Sequence, residues 1–336
     1  MIPSLFKAKV MTDNRTDKTE NILTKAFSLA GKRVWVAGAS GMVGSAIVRR
    51  LASENCTTIT PNRRELDLLN QSNVNEWAAA NKPHVVVVAA ATVGGILANS
   101  TRPAEFIYNN IIIQSNIIHA SYINGVEKLL FLGSACIYPR EASQPMAEEA
   151  LLTGPLEPTN EAYAIAKIAG IKMCEAYRKQ YGCDYISAQP NNLYGTGDNF
   201  DLKNSHVVPA LMRRSHLAKI NGDKILSIWG TGTAHREFLH VDDCADALLH
   251  LIKNFSGNIH INVGTGEELT IGELAQIIAD VVGFDGVLEF DTSKPDGAPR
   301  KLLNNRRMQA MNWKSSINLK DGLASTYQWF LENYAK

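Results

Sequence analysis

The sequence of 336 residues predicts an α/β fold, with a doubly wound parallel sheet and a smaller mixed α/β lobe. Short apolar runs without polar alternation are typical of parallel strands that are buried on both faces. They alternate with longer segments of helical periodicity, which is the order expected of a parallel sheet with crossover helices. The predicted strands are 33–37, 56–60, 84–90, 128–133 and 184–189, and the predicted helices are 42–53, 70–80, 103–124 and 160–181.

Three parts are predicted along the chain. Residues 1–30 are polar and lack periodicity, which indicates a mobile N-terminal extension. Residues 31–195, with returning segments near 236–262, carry the sheet. Residues 196–235 and 263–336 are richer in glycine, proline and interrupted helices, and we assign them to the smaller lobe.

Composition favours small-molecule chemistry. Charged residues make up 20% of the chain and the net charge is +1, so there is no basic field for nucleic acid or an acidic membrane. The apolar runs are too short to span a bilayer. The five cysteines form no CxxC pair and join no closely spaced cluster with histidine. We therefore expect no metal site and a reducing, cytoplasmic location.

A glycine-rich turn follows the first predicted strand. Its residues are Gly38, Ala39, Ser40, Gly41, Met42, Val43 and Gly44, and a helical pattern begins within it. Glycines in such a turn let main-chain amides approach a pyrophosphate, while the helix N-terminus provides a favourable dipole for the anion. Glycines also mark ordinary turns, but the order of strand, turn and helix favours a dinucleotide-binding site in the sheet domain.

The end of the second predicted strand distinguishes NADP from NAD. NAD-binding proteins usually place a carboxylate there, which accepts from the ribose 2′-hydroxyl, whereas this chain has Arg63 and Arg64. Two guanidiniums suit a 2′-phosphate, so NADPH is predicted over NADH as the cofactor. The alternative is a solvated basic turn. The predicted cofactor contacts here are Arg63, Arg64, Glu65, Leu66, Asp67 and Leu68, with Asp67 near the adenine.

Tyr163 and Lys167 stand four residues apart in a predicted helix and therefore on one of its faces. A phenol titrates near ~10, and a neighbouring ammonium lowers that pKa toward the range useful for proton transfer. The pair predicts hydride chemistry, with the lysine also close to a ribose. The same spacing occurs by chance on solvated helix faces, so this interpretation depends on the glycine turn.

Polar or small residues follow the remaining predicted strands. Because the carboxyl ends of parallel strands form one ligand crevice, these segments should converge with the glycine turn. The additional predicted cofactor contacts are Leu132, Gly133, Ser134 and Ala135 after the fourth strand, and Pro190, Asn191, Asn192 and Leu193 after the fifth.

The glycine turn, Ser134 and the Tyr163-x-x-x-Lys167 pair together resemble the extended short-chain dehydrogenase/reductase superfamily, whose cofactor domain is a Rossmann fold. Longer segments resemble one family within it, the GDP-L-fucose synthases. These segments are 89–96, 131–139, 156–161, 192–195, 198–200, 204–207, 236–243 and 293–301, and the resemblance spans about residues 31–334. It implies NADPH-dependent 3,5-epimerisation and 4-reduction of GDP-4-keto-6-deoxy-D-mannose to GDP-L-fucose.

The resemblance also implies the catalytic residues. The C4 ketone acidifies the hydrogens on C3 and C5, so two side chains must remove and return protons on opposite faces of the ring. These are Cys136 and His206, with the histidine as the proton donor and also as a cofactor contact. Tyr163 then protonates the oxygen at C4, Lys167 holds the nicotinamide ribose, and Ser134 hydrogen-bonds the alkoxide. Without the resemblance, Cys136 would be buried packing and His206 a loop or core histidine.

The lobe residues implied in substrate binding are Arg214, Trp229, Arg236, Asp296 and Lys301. A GDP group requires guanidiniums at its phosphates and an aromatic or apolar clamp at its base. On general grounds Arg214 would belong to a solvated helix face, and Trp229 to the core of the lobe.

Two alternative functions stay open at this point. Another nucleotide-sugar epimerase or reductase would share the fold, the tyrosine and the lysine, although a 4,6-dehydratase would carry a Thr-Asp-Glu loop at 134–136. A non-catalytic NADP-binding regulator would use the same scaffold, but it should have lost part of the catalytic set. We also expect a homodimer through helices 103–124 and 160–181. The apolar residues of the first helix form either that interface or sheet-facing core: Phe106, Ile107, Ile111, Ile117 and Ile118.

Overall fold

A computed structural model describes residues 26–201, 205–294 and 296–335. Residues 1–25 of the predicted extension lie outside the described residues. The end of the predicted extension belongs to the fold. The amide of Phe27 donates to the carbonyl of Lys253 over 2.8 Å, and Leu29 is a core residue with 2% exposure. The apolar residues of this short segment are too few to show a period, so sequence reasoning missed the contact.

Strands and helices alternate along the described chain. The strands are β1 (Arg33–Ala37), β2 (Thr57–Ile59), β3 (Val85–Val88), β4 (Lys128–Leu132), β5 (Tyr185–Pro190), β6 (Asn192–Tyr194), β7 (Ile225–Trp229), β8 (His235–Arg236), β9 (Phe238–His240), β10 (Ile261–Val263), β11 (Leu269–Thr270), β12 (Val287–Asp291) and β13 (Arg300–Lys301). The helices are α1 (Met42–Leu51), α2 (Gln71–Asn81), α3 (Ile96–Thr101), α4 (Pro103–Ile123), α5 (Glu161–Tyr181), α6 (Val207–Asn221), α7 (Val241–Asn254), α8 (Ile271–Val282), α9 (Arg306–Ala310) and α10 (Leu319–Asn333).

Six parallel strands form the central sheet in the order β10-β5-β4-β3-β1-β2, which confirms the predicted doubly wound parallel fold. Alternate residues of β1 and β3 enter two different cores. Val34 and Val87 pack on the side of α1 and α7, whereas Trp35 and Val86 pack on the side of α2 and α4. Helices therefore cover both faces of the sheet, which explains why its strands are continuous apolar runs.

The smaller lobe has a core of its own. There α6, α8 and α10 pack against the strand pair β7 and β12, and the three-stranded sheet β11-β8-β13 completes the lobe. The predicted division between lobe and sheet domain stays a prediction, but the segment 303–313 departs from it. Leu303, Met308 and Trp313 are buried in the cores of the sheet domain. Helix α9 has five residues, too few to reveal a packing face by periodicity.

Helices α4 and α5 lie side by side against the sheet. Phe106, Ile117 and Ile118 of α4 are fully buried, so these three residues are core and not an interface. Ile107 and Ile111 are half-buried. None of the helices in the described ranges is long and apolar enough to cross a membrane.

Candidate active site

The glycine turn between β1 and α1 has no room for larger residues. Gly38 has a φ of +89°, and a Cβ on it would lie 2.6 Å from the amide nitrogen of Ala90. A Cβ on Gly44 would lie 2.0 Å from the Gly38 carbonyl oxygen. Gly41 caps α1 without a side-chain hydrogen bond, and the first turn of α1 has no acidic residue. The first amides of α1 are therefore open to an anion, which fits the pyrophosphate of a dinucleotide.

The turn after β2 is exposed and basic. Asn62 holds it, since its Oδ1 accepts from the Arg64 amide over 2.8 Å and its own amide donates to the Glu65 carboxylate over 2.8 Å. Arg63 and Arg64 are exposed and form no ion pair with a described residue, so two guanidiniums are available to a 2′-phosphate. Leu66 is 3% exposed and belongs to the core, so only its main chain can face a cofactor.

The remaining contacts predicted after β2 stabilise the turn itself. Asp67 is exposed, and its Oδ1 accepts from the Leu69 amide over 3.0 Å. The Leu68 carbonyl accepts from the Asn116 side chain of α4 over 2.9 Å. These hydrogen bonds fix the backbone of the segment next to the two arginines.

Cys136 lies in the first turn after β4. A 3-10 turn over Ala135–Ile137 begins there, and the Ser134 hydroxyl accepts from the Cys136 amide over 3.5 Å. Gly133 is required at the strand end, because a Cβ there would lie 1.7 Å from the Gln189 Oε1 of β5. Gln189 is fully buried, and neither polar atom of its side chain has a partner among the described residues. No sequence pattern pointed to this glutamine.

Tyr163 and Lys167 lie one turn apart on α5, close to the end of β4. Lys167 is 3% exposed, and its Nζ donates to the Leu132 carbonyl over 2.8 Å. The same Nζ lies 5.7 Å from the centre of the Tyr163 ring. The Phe106 ring packs edge-on against that tyrosine, with 6.2 Å between ring centres. Packing and one main-chain hydrogen bond therefore hold the pair in place.

Burial shifts the pKa values of this pair toward the neutral forms. It lowers the pKa of Lys167 to about 8. It raises the pKa of Tyr163, and the nearby Cys136 adds to that increase. The prediction that Lys167 lowers the tyrosine pKa is therefore not met. The ammonium is bonded to the Leu132 carbonyl and lies over the ring, and no described hydrogen bond joins it to the phenol oxygen. At neutral pH Tyr163 is a phenol and can donate a proton.

Cys136 shares its electrostatic environment with four other predicted site residues. Burial raises the pKa of its thiol, while the Ser134 hydroxyl and the charges of Lys301 and Lys167 lower it by smaller amounts. Cys136 in turn affects the pKa values of Tyr163, Lys167 and Lys301. Such mutual effects require groups that lie near one another. The turn that carries Cys136 also contacts α5, the helix of Tyr163 and Lys167, and with a pKa raised above its ordinary value the thiol is protonated at neutral pH.

His206 stands at the N-cap of α6, where the lobe begins. Its ring keeps exposed surface but stands among enough protein for the loss of hydration to lower its pKa. No described hydrogen bond joins it to Cys136, so their meeting across one sugar ring stays a prediction. At neutral pH the imidazole is unprotonated and the thiol is protonated. The lowered pKa of the histidine and the raised pKa of the thiol favour the histidine as base and the cysteine as proton donor, opposite to the predicted assignment.

Arg236 and Lys301 are direct neighbours in the lobe, because β8 pairs with β13 in that register. Burial lowers the pKa of both side chains. The charge of Asp296 acts on Arg236, and the two Asp296 carboxylate oxygens accept from the amide and the hydroxyl of Thr231 over 2.9 and 2.8 Å. Asp296 also occupies the space beside Gly230, where a Cβ would lie 2.2 Å from its Oδ1. The sequence did not reveal Thr231 as the residue that holds this aspartate.

Trp229 and Arg214 lie on elements that adjoin this group. Trp229 ends β7 directly before the glycine that contacts Asp296, and it is 64% exposed rather than part of the lobe core. The Lys294 ammonium lies 5.9 Å from its ring centre. The Arg214 side chain of α6 donates to the carbonyl of Ser227, which lies on β7 as Trp229 does. Burial lowers the pKa of Arg214. An exposed indole beside cations is suited to a flat, negatively charged nucleotide.

The described residues contain no group of His, Cys, Asp and Glu side chains that could hold a metal ion. The five cysteines are unpaired thiols. The predicted site residues provide a phenol, a thiol, an imidazole and the cations around them. This set can move protons next to a carbonyl and can bind an anionic ligand.

Comparison with known proteins agrees with this geometry. The chain matches the NAD dependent epimerase/dehydratase family over residues 34–264. The GDP-L-fucose synthase of Sinorhizobium fredii is 60% identical over 309 residues, which cover 92% of this chain and 98% of that protein. The GDP-L-fucose synthase of Escherichia coli is 55% identical over 315 residues, covering 91% and 98%. A solved structure of a GDP-L-fucose synthetase from Naegleria fowleri bound to NADP has a TM-score of 0.86 at 28% identity, over 93% of this chain and 99% of that one.

Proposed function

Because the chain belongs to the NAD dependent epimerase/dehydratase family, and within it to the GDP-L-fucose synthases, we infer that it is an NADP-dependent epimerase and reductase of a GDP-sugar. We propose GDP-4-keto-6-deoxy-D-mannose as the substrate and GDP-L-fucose as the product. The observation that carries the proposal is that Tyr163 and Lys167 of α5 lie beside the end of β4, where the Lys167 ammonium donates to the Leu132 carbonyl over 2.8 Å, and that the turn with Cys136 follows the same strand and contacts α5.

The residues of the sheet domain fit NADP(H). Gly38 and Gly44 let the turn pack closely on itself and on the chain after β3, and the first turn of α1 would present its amides to the pyrophosphate. Arg63 and Arg64 would hold the 2′-phosphate, and Lys167 would hold the nicotinamide ribose. When bound, NADPH supplies the hydride that reduces the ketone at C4.

Epimerisation requires removal of a proton next to the ketone and its return on the opposite face. With His206 as an unprotonated imidazole and Cys136 as a thiol, we assign proton removal to His206 and proton return to Cys136. The Ser134 hydroxyl and the Tyr163 phenol stabilise the charge that develops on the ketone oxygen. Each inversion leaves an imidazolium and a thiolate, and proton exchange between them restores the resting pair.

Reduction ends with transfer of the Tyr163 proton to the oxygen at C4. The raised pKa of this tyrosine keeps the phenol protonated until charge develops on the substrate. Lys167, with a pKa of about 8, is largely charged at pH 7, so its ammonium can donate to the hydroxyls of the nicotinamide ribose.

The proposal is tested by incubating the protein with GDP-4-keto-6-deoxy-D-mannose and NADPH in deuterated water, followed by proton NMR of the sugar. We expect GDP-L-fucose that carries deuterium at C3 and C5, because the protons returned there come from groups that exchange with solvent. A reduced sugar without deuterium at these carbons would contradict the epimerisation. Absence of NADPH oxidation would contradict the reduction and would support a regulator.

We also propose a homodimer and a cytoplasmic location. Tyr108, Ile123, Ile165 and Tyr181 on α4 and α5 are between 42 and 63% exposed, and Tyr122 stacks on Tyr181 with 4.2 Å between ring centres. Apolar side chains exposed on two adjacent helices suit a closed two-fold contact. Five unpaired thiols suit a reducing compartment. Light scattering should give twice the mass of one chain, and a single chain mass would contradict the dimer.

A further inference from the structure

A buried carboxylate that takes no part in the proposed proton transfers lies between the two halves of the site. Glu237 separates β8 from β9 and has no exposed surface. No ion pair with a described residue neutralises it. Burial raises its pKa, and hydrogen bonds to its oxygens oppose that increase. Burying a carboxylate costs much free energy unless its oxygens accept hydrogen bonds. The groups that donate to Glu237 therefore indicate its role.

Neutral donors from three separate segments satisfy the Glu237 carboxylate. Oε1 accepts from the Gly266 amide over 2.7 Å. Oε2 accepts from the Leu303 amide over 3.1 Å and from the Asn191 side chain. Space for the carboxylate depends on Gly264, where a Cβ would lie 2.3 Å from Oε1. One side chain therefore joins the end of β5, the turn after β10 and the segment after β13.

These segments carry residues from both sides of the site. The Asn192 side chain, on the cofactor side, donates to the Glu237 carbonyl over 3.0 Å. On the substrate side, Arg236 directly precedes Glu237, and Lys301 lies two residues before Leu303 and pairs with Arg236 across the strands. Movement of the carboxylate would therefore displace the two substrate-side cations relative to the cofactor-side strand end.

We propose that Glu237 is a positioning residue that sets the placement of Arg236 and Lys301 against the end of β5, and thereby the affinity for the GDP-sugar. The inference builds on the proposed function. Glu237 acts through neutral hydrogen-bond donors, so its contribution lies in the geometry of the pocket, and it exchanges no proton with the substrate.

The variant Glu237→Gln tests this inference, because it keeps the size of the side chain and turns one acceptor into a donor that faces N–H groups. We expect KM for GDP-4-keto-6-deoxy-D-mannose to rise about tenfold and kcat to change less than about threefold, the pattern for loss of uniform binding. The matched control is Asp243→Asn. Asp243 is also buried and accepts from the Ser316 and Ile317 amides over 3.0 and 2.9 Å, and the segment with these two donors carries no proposed site residue. This control should lower Tm and leave KM unchanged.

An unchanged KM in Glu237→Gln, or an equal rise in Asp243→Asn, would overturn the inference. If Glu237→Gln does not fold, Gly264→Ala takes its place, since the added methyl crowds Oε1 and leaves the carboxylate present. The same rise in KM is expected, and parental KM in that variant would also overturn the inference.

Titration calorimetry with GDP in the presence of NADP⁺ separates this inference from the proposed function, because binding needs no turnover. GDP should bind about tenfold more weakly to Glu237→Gln than to the parent protein, a difference expected when buried hydrogen-bond geometry is lost. That result supports the positioning role even if the parent leaves the keto sugar unchanged. Equal affinity of parent and variant for GDP would overturn it.

Discussion

The sheet domain and the lobe hold their halves of the site in different ways. In the sheet domain, Lys167 is bonded to the main chain of β4, and Gly133 packs against the buried Gln189. In the lobe, Trp229 is 64% exposed, and Asp296 is held by the main chain and side chain of one threonine. The difference indicates that the sheet domain fixes its proposed reactive groups before a ligand arrives, whereas the proposed binding groups of the lobe keep more freedom to adjust.

The largest effect on activity should come from removing the phenolic oxygen of Tyr163, which lies in the sheet domain. Tyr163→Phe removes the phenolic proton donor and keeps the ring contact with Phe106. We expect kcat for NADPH oxidation to fall about thousandfold, the scale of lost acid catalysis, with Tm within about 2 °C of the parent. Absorbance at the NADPH band and thermal unfolding measure the two quantities. Retention of more than a tenth of kcat would show that the chemistry does not depend on this preformed group.

The second prediction distinguishes epimerisation from reduction, the two proposed reactions. Cys136→Ser should slow inversion at C3 and C5 about a hundredfold, because a serine hydroxyl is a much weaker acid than a thiol and returns the proton less readily. Reduction should continue and give a sugar that is not inverted. Cys56→Ser, at a half-buried thiol beside β2, is the control and should retain inversion. Proton NMR in deuterated water measures both, and an unchanged rate of GDP-L-fucose formation would refute the role of Cys136.

A third effect concerns the exposed part of the sheet domain. The parent protein should favour NADPH over NADH, and Arg63→Ala should reduce the ratio of kcat/KM for the two cofactors about tenfold, because one charge-assisted contact with the 2′-phosphate is lost. Arg306→Ala, at the start of α9, is an exposed arginine that serves as the control. Equal use of both cofactors by the parent would refute the basic site.

The smallest effect should be on thermal stability, and it concerns Asp198 in the segment between β6 and α6. Asp198 is 4% exposed, its Oδ1 accepts from the Asn199 amide over 2.7 Å, and its Oδ2 has no described partner. Burial raises its pKa to about 7. A carboxyl group whose folded pKa is raised contributes stability below its unfolded pKa, near ~3.9, and loses it as pH rises through the folded value.

Asp198→Asn should remove this dependence on pH. The difference in Tm, variant minus parent, should grow by about 3 °C between pH 5 and pH 8. Asp223→Asn, at an exposed aspartate, is the control and should show no such growth. Differential scanning calorimetry at several pH values measures the effect, and a difference in Tm that does not vary with pH would contradict it.

The part of the site that lies in the sheet domain, where buried contacts hold the side chains, is also the part that sequence reasoning could predict. The glycine turn and the pair formed by Tyr163 and Lys167 depend on the geometry of one turn and one helix, which spacing alone determines. The direction of the tyrosine pKa could not be predicted in the same way. It depends on burial, and burial is a property of the whole packed structure.

The lobe depends on contacts between distant segments. β8 and β13 have two residues each, and the neighbourhood of Arg236 and Lys301 exists only through their pairing. No local period can reveal such short strands. The buried roles of Glu237 and Gln189 likewise arise from segments far apart in the chain, so only the folded structure identifies them.

The path of the chain has a consequence for how ligands enter. After the first lobe helix, α7 and β10 return to the sheet domain, α8 and β12 lie in the lobe, 303–313 returns to the sheet, and α10 ends in the lobe. Within the described residues, the chain therefore passes between the sheet domain and the lobe several times. No single segment connects the two parts, so the lobe cannot open by rotation about one hinge. Ligand entry should proceed by slight sliding of the lobe, and a protease that nicks one surface loop should leave both parts joined.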